Sequence, residues 1–177
     1  MGLADDYSDL YRQYLPRILN YMRLRVENDD LAQDLTAEVF ERAVSRQHTL
    51  RRREAFGAWL FRIARTTIAA HYRQSRPVQS LELAGDQPAL QASPPEAAMR
   101  HEELARLREG LSTLSEREKE IIRLKFGGGL GNQDIAGVLW LRPGHVAVIL
   151  HRALRKLRAH METEEKVYRG DAKNAEG

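Results

Sequence analysis

Between residues 8 and 26 the apolar positions Leu10, Tyr11, Tyr14, Leu15, Ile18, Leu19, Met22 and Val26 recur at three- and four-residue spacing, which puts them on one face of a helix. Ser8 is the candidate N-cap and Pro16 the expected kink. A second helix, capped by Asn28 or Asp29, carries Leu31, Leu35, Val39, Phe40 and Ala43 as its apolar stripe and Asp34, Glu38, Glu41 and Arg42 at polar positions. A third, from about Ala55 to Gln74, carries Phe56, Trp59, Leu60, Ile63, Ala64 and Thr67. The periodicity then lapses into a stretch containing Pro77, Ser80, Gly85, Pro88, Ser93, Pro94 and Pro95, which predicts a linker.

Helical patterning resumes from about Glu96 to Leu111. Ser115-x-x-Glu118 then predicts a capping box opening a further helix, ended by Gly127, Gly128 and Gly129. Two helices follow, Gln133 to Leu139 and Pro143 to about His160, with only three residues between them. The second buries Val146, Leu150, Ala153, Leu154 and Leu157 and turns Gly144, Val148, Arg152 and Arg155 outward. No segment alternates as a strand would. The expected architecture is all-α, with two small helical domains over residues 1–76 and 96–161, a flexible linker over 77–95, and a disordered tail over 162–177.

Charge sharpens this outline. The net +3 divides into two basic segments in an otherwise acidic chain. Residues 51–76 hold seven Arg against Glu54 alone, and residues 142–160 hold five Arg or Lys and no acid. Solvated helix faces would explain either segment by itself, but two of them on ordered helical patterns point to phosphate contact at two places. In the third helix Arg62, Arg65, Arg73 and Arg76 fall within about 80° of one another at a helical 100° per residue, with Phe61 and Tyr72 on one side and Trp59 on the other. Arg can hold phosphates while aromatic faces accept unstacked bases, so this helix suits single-stranded or opened DNA. The last two helices suit duplex DNA, because a short helix, a tight turn and a longer basic helix opened by Pro143 form a helix-turn-helix.

Several function classes are excluded or unsupported. The chain has no Cys, hence no disulfide framework and no thiolate site. Its six His show no metal-binding spacing with a nearby carboxylate, and neither a phosphate-binding glycine loop nor a nucleophile elbow is present. The longest apolar run, Ile135 to Leu141, falls far short of the roughly 20 residues that span a bilayer. The expectation is a cytoplasmic DNA-binding protein that is not an enzyme and needs no cofactor or metal.

Two groups of residues resemble the sigma-70 family of bacterial transcription initiation factors, in its compact extracytoplasmic-function (ECF) type. Asp34-Leu-Thr-Ala-Glu-Val-Phe40-Glu-Arg-Ala43 is similar to region 2.2, and Phe56-Gly-Ala-Trp-Leu-Phe-Arg-Ile-Ala-Arg65 to the start of regions 2.3 and 2.4. Leu114-Ser-Glu-Arg-Glu118, Asp134-Ile-Ala136 and His151-Arg-Ala-Leu-Arg-Lys-Leu-Arg158 are similar to region 4. The resemblance implies a core RNA polymerase contact at Asp34, Glu38, Glu41 and Arg42. It implies −10 recognition and melting by Trp59, Phe61, Arg62, Arg65, His71, Tyr72, Arg73 and Arg76. Contact with −35 duplex DNA would fall to Pro143, Gly144, His145, Ala147, Val148, Arg152 and Arg155. An inhibitory anti-sigma factor or another regulatory protein is the further partner implied, with Trp140 and Ile149 as its candidate surface.

The chain departs from the family pattern in places. Thr66 and Ala70 stand where Asn and Asp are frequent, Arg142 replaces the Ser that usually caps the recognition helix, and His145, Ala147, Val148 and Ile149 replace Thr, Lys, Ser and Arg. Trp140 occupies the turn position that is normally Gly, so either the turn is rearranged or the ring has a partner. The alternative reading is a stand-alone regulator of the response-regulator type, in which Leu114-Ser-Glu-Arg-Glu-Lys-Glu120 also precedes a helix-turn-helix. A pure interaction module built on Trp140 and the surface from Ala147 to Ile149 is the third.

Overall fold

The computed structural model describes the backbone of residues 3–26, 28–50, 52–74 and 106–175, and side chains over 9–26, 28–50, 52–74 and 106–162. Arg76, the linker expected over 77–95 and the start of the helix expected at Glu96 lie outside the described residues. The elements are α1 (Leu3–Arg23), α2 (Asp29–Ser45), α3 (Phe56–Gln74), α4 (106–112), α5 (Glu116–Ile122), α6 (Asn132–Leu139) and α7 (Pro143–Ala175). Short 3-10 turns over Gln47–Thr49 and Arg53–Ala55 join α2 to α3, and a π turn over Arg123–Gly127 extends α5. Among the described residues no strand forms and no helix is long and apolar enough to cross a membrane.

Compact packing divides the chain differently from the expected linear order. One unit combines residues 1–86 with 123–146, and the other combines 87–122 with 147–177. In the first, α1, α2 and α3 bury Ile18, Tyr21, Met22, Leu35, Val39, Phe40, Leu60, Ile63 and Ile68, as their periodicity requires. Asn28 caps α2, its Oδ1 accepting from the Leu31 N–H at 2.7 Å. Arg23 at the end of α1 donates to Asp29 at 2.5 Å, and that contact lowers the Asp29 carboxyl below its ordinary value. Leu124, Leu130, Ile135 and Val138 are buried in this segment, but their spacing does not say which partner covers them, and the closest approaches are made at glycines. A Cβ on Gly128 would stand 2.6 Å from the Phe61 ring, and one on Gly127 would stand 2.6 Å from Leu24.

In the second unit the Ser115 box forms as expected: the Glu118 N–H donates to Ser115 Oγ at 3.3 Å and the Ser115 N–H donates to Glu118 Oε2 at 2.9 Å. Lys156 Nζ also donates to both Glu118 carboxylate oxygens, at 2.8 and 3.0 Å. The Lys156 contact first, and the Ser115 N–H next, hold the Glu118 carboxyl below its ordinary value against the opposing effect of burial. Because the native state then binds fewer protons than the unfolded chain, this contribution is complete above the ordinary carboxylate range. It is lost as pH falls through the lower native value. Glu118→Gln should cost about 1–2 kcal/mol at neutral pH and flatten the acid limb of the stability profile, read by urea unfolding at stepped pH. An acid limb identical to the parent's would remove Glu118 from this role.

Three expectations need correction. Ser8 lies inside α1, which begins at Leu3, so it does not cap the helix. Leu154 is 40% exposed and leaves the α7 stripe, since at 100° per residue it sits about 80° from Val146 while Leu150, Ala153 and Leu157 stay within about 40°. The segment after 161 is helical to Ala175 rather than disordered. Glu162, Glu164, Glu165 and Lys166 are good helix formers, and no Pro follows to stop α7.

Candidate nucleic-acid interface

The α3 helix supplies the first candidate surface. Arg62 and Arg65 are half-buried on one side of it, while Tyr72 and Arg73 are exposed at its end and His71 is half-buried. Tyr72 donates its hydroxyl to the Arg25 carbonyl at 2.5 Å, and Arg73 Nε donates to the Ala69 carbonyl at 3.3 Å. These bonds hold the last turn of α3 in a fixed pose. Trp59 does not stand out as a free platform: it is 8% exposed, and its indole N–H donates to Thr49 Oγ1 at 2.9 Å. Phe61 is a correction of the same kind. Its ring is fully enclosed, edge-on to Tyr21 with centroids 5.4 Å apart, so it presents no face to a base in this arrangement.

Between α3 and the 3-10 turn over Gln47–Thr49 lies an open depression of about 480 Å³. Trp59 and Ile63 provide its apolar lining, and Arg46, His48, Thr49, Arg62 and Thr66 surround them. Its size and mixture of aromatic surface, guanidinium groups and hydroxyls suit a planar heterocycle attached to a phosphate. Of these residues the sequence had named Trp59 and Arg62 as DNA contacts, Thr66 as a departure from the family pattern, and Ile63 as core. Arg46, His48 and Thr49 were missed because they fall in the aperiodic stretch between two helices, where spacing carries no signal. Basic residues next to a helix already read as DNA-binding were the one available clue.

The second candidate surface is the N-terminal part of α7. Pro143, Gly144, His145, Ala147, Val148, Arg152 and Arg155 are all exposed along it, and Ile149 is half-buried. Pro143 occupies the first turn, and the Arg142 carbonyl accepts from the His145 and Val146 N–H groups at 2.9 and 3.1 Å. The turn ahead of it is not rearranged. Trp140 takes the left-handed conformation itself, at φ 56° and ψ 42°. Its N–H and that of Leu141 both donate to the Ala136 carbonyl, closing the end of α6 as a Gly would. Left-handed backbone costs a non-Gly residue about 1 kcal/mol or more. The ring is 79% exposed yet partnered, with the Arg62 guanidinium carbon 5.0 Å above its centroid.

The third set lies on α2, where Asp34 and Glu41 are exposed and Glu38 and Arg42 are half-buried. Arg42 donates to Glu38 one helical turn away. At 100° per residue the four fall within about 100° of one another, so they form one mixed-charge face of α2. Among the described residues no group of three or more His, Cys, Asp or Glu could hold a metal ion.

The chain is all-α, with one basic helix beside an open depression lined by Trp59 and guanidinium groups and a second basic helix entered through a tight turn, the arrangement of a helix-turn-helix protein. Residues 10–77 match Sigma-70 region 2 and residues 110–159 match Sigma-70, region 4. The chain belongs to the sigma-70 family, as an ECF sigma factor. It is 32% identical over 160 residues to the ECF RNA polymerase sigma factor BldN of Streptomyces coelicolor, covering 88% of this chain and 60% of that one. It thus spans less than two thirds of that relative's length. It is 30% identical over 176 residues to the ECF RNA polymerase sigma factor ShbA of Streptomyces griseus, covering 91% of this chain and 90% of that one. The fold is also like that of the sigma factor RpoE, solved in complex with the anti-sigma factor NepR from Bartonella quintana. That likeness has a TM-score of 0.64 at 20% identity and covers 89% of this chain and 97% of that one.

Proposed function

We propose that this chain is a promoter-recognition subunit: it binds core RNA polymerase, positions it over paired −10 and −35 elements, and opens the first base pairs. The observation that carries this reading is the pairing, in one chain, of the α3 surface and depression with the exposed N-terminal face of α7. Arg62 and Arg65 would hold the phosphates of opened −10 DNA, with His71, Tyr72, Arg73 and Arg76 following the strand. An unstacked base would sit in the depression against Trp59 and Ile63, with Thr66 and Thr49 as hydrogen-bonding groups at its edge. Pro143, Gly144, His145, Ala147, Val148, Arg152 and Arg155 would face the −35 duplex. Ala147 and Val148 favour apolar contact with thymine methyl groups where the family more often has polar side chains.

The mixed-charge face of Asp34, Glu38, Glu41 and Arg42 would dock on core polymerase, which performs all the chemistry. The chain itself would act in the cytoplasm without a cofactor, and an anti-sigma factor would be its regulatory partner, with Trp140 and Ile149 as contact candidates. Run-off transcription with purified core enzyme and a genomic promoter library tests the reading. Promoter-dependent product is expected, and its absence would overturn it.

Arg152→Ala gives a narrower test of the α7 surface. Loss of one phosphate contact should weaken duplex binding about equally across sequences and reduce the slope of log K against log salt by about 1, measured by fluorescence anisotropy. An unchanged slope would place Arg152 off the backbone.

A further inference from the structure

Two threonines that line the depression have their hydroxyl protons committed inside the chain. Thr49 Oγ1 donates to the Arg46 carbonyl at 2.8 Å and accepts from the Trp59 indole N–H at 2.9 Å. A hydroxyl carries one proton and two lone pairs, so Thr49 keeps one lone pair and no proton for a ligand. Thr66 Oγ1 donates to the Ile63 carbonyl at 2.8 Å, one turn back in α3, and keeps both lone pairs. Both residues are exposed, so these lone pairs can be reached. Turning either hydroxyl round to donate would break a bond already made to a carbonyl. The guanidinium groups of Arg46 and Arg62 offer donors only, and His48 can serve in either sense. An Asn, frequent in the family at the position of Thr66, would offer a carbonyl and an amide N–H together, whereas Thr66 accepts only.

We propose that Thr49 and Thr66 make the depression selective for an unstacked base bearing an exocyclic amino group, and that thymine is disfavoured there. The inference rests on the promoter-recognition reading for the presence of a base in the depression. Adenine, cytosine and guanine each carry an amino donor on the edge that pairs in a duplex, together with an acceptor on the same edge. The amino group can donate to a threonine lone pair while the acceptor takes a guanidinium N–H. Thymine presents a single N–H flanked by two carbonyls. A thymine carbonyl set against either threonine oxygen brings two acceptors together with no proton between them, and both are left desolvated and unpaired. The Trp59 N–H cannot relieve this, because Thr49 already takes it. The Trp59 ring does not make the choice either, since every base has a face to stack.

The test uses holoenzyme reconstituted from the full chain and purified core polymerase, with a fork-junction duplex whose single-stranded segment is randomised. Sequencing of bound against unbound duplex should reveal a position at which thymine is disfavoured about fivefold or more relative to the amino-bearing bases. Thr66→Val, which replaces the hydroxyl by a methyl of similar size, should reduce that preference below about twofold and leave the other positions unchanged, while Thr66→Ser should keep it. Thr49→Val releases the Trp59 N–H as a donor, so it should raise the binding of thymine at the same position. A second measurement needs no variant. At that position the preferred base is exchanged for its deaminated counterpart (uracil for cytosine, hypoxanthine for adenine, xanthine for guanine), which turns the amino donor into a carbonyl. Affinity of the parent holoenzyme should fall about fivefold or more. No position that disfavours thymine, a preference that persists in Thr66→Val, or equal binding of the amino-bearing and deaminated bases overturns the proposal and leaves the promoter reading intact. Absence of selection at every position by the parent holoenzyme overturns both.

Discussion

Replacing Arg62 and Arg65 together by alanine should lower promoter-dependent run-off product by about a hundredfold or more while leaving co-purification with core polymerase unchanged. Each guanidinium would make charge-assisted hydrogen bonds to phosphate worth roughly 1.5–3 kcal/mol, and two of them lost together correspond to at least that factor. The proposed polymerase contact is made by Asp34, Glu38, Glu41 and Arg42 on α2, which these substitutions leave intact, so docking on the enzyme should survive. Lysine at both positions should recover part of the activity, since the charge returns without the planar fork. Transcription within about fivefold of the parent would show that α3 reads promoters through other residues.

Phe61→Ala should act on stability first. An enclosed Phe truncated to Ala costs about 3–5 kcal/mol, because the ring leaves a cavity that its neighbours fill only in part. Tyr21 meets the ring from α1 and Gly128 from the glycine loop, so both sides of the cavity lose contact. The measurement is the urea midpoint of the full chain. A loss of stability below about 1 kcal/mol, from the midpoint shift and the slope m, with a large loss of fork binding would instead return Phe61 to the DNA-facing role that its helical angle suggested.

That pair of outcomes shows where reading from spacing stopped. Helical angle placed Phe61 beside the arginine stripe, which is correct for an isolated helix. It could not say that another segment covers the same side. Trp59 followed the same logic and proved to line the depression with its N–H tied to Thr49. Charge singled out Arg62 and Arg65, which are half-buried on α3, and Arg152 and Arg155, which are exposed on α7. The Ser115 and Glu118 box was legible because both partners lie within one turn of each other, whereas Lys156, 38 residues away, was not.

The sequence by itself determined the helices, their order, the two basic segments and the family, since each depends on local periodicity, capping or contiguous motifs. The tertiary structure alone decided that residues 123–146 pack with α1 and α3, that Arg17 holds the glycine loop, and that Trp140 keeps the turn while lying beneath Arg62. The physical reason is that these contacts join residues 67 to 112 positions apart, and that Arg17, Phe61 and Arg65 meet glycines and backbone carbonyls there. A glycine offers close approach through what it lacks, and a carbonyl is common to every residue, so neither leaves a pattern along the chain that spacing or composition could reveal.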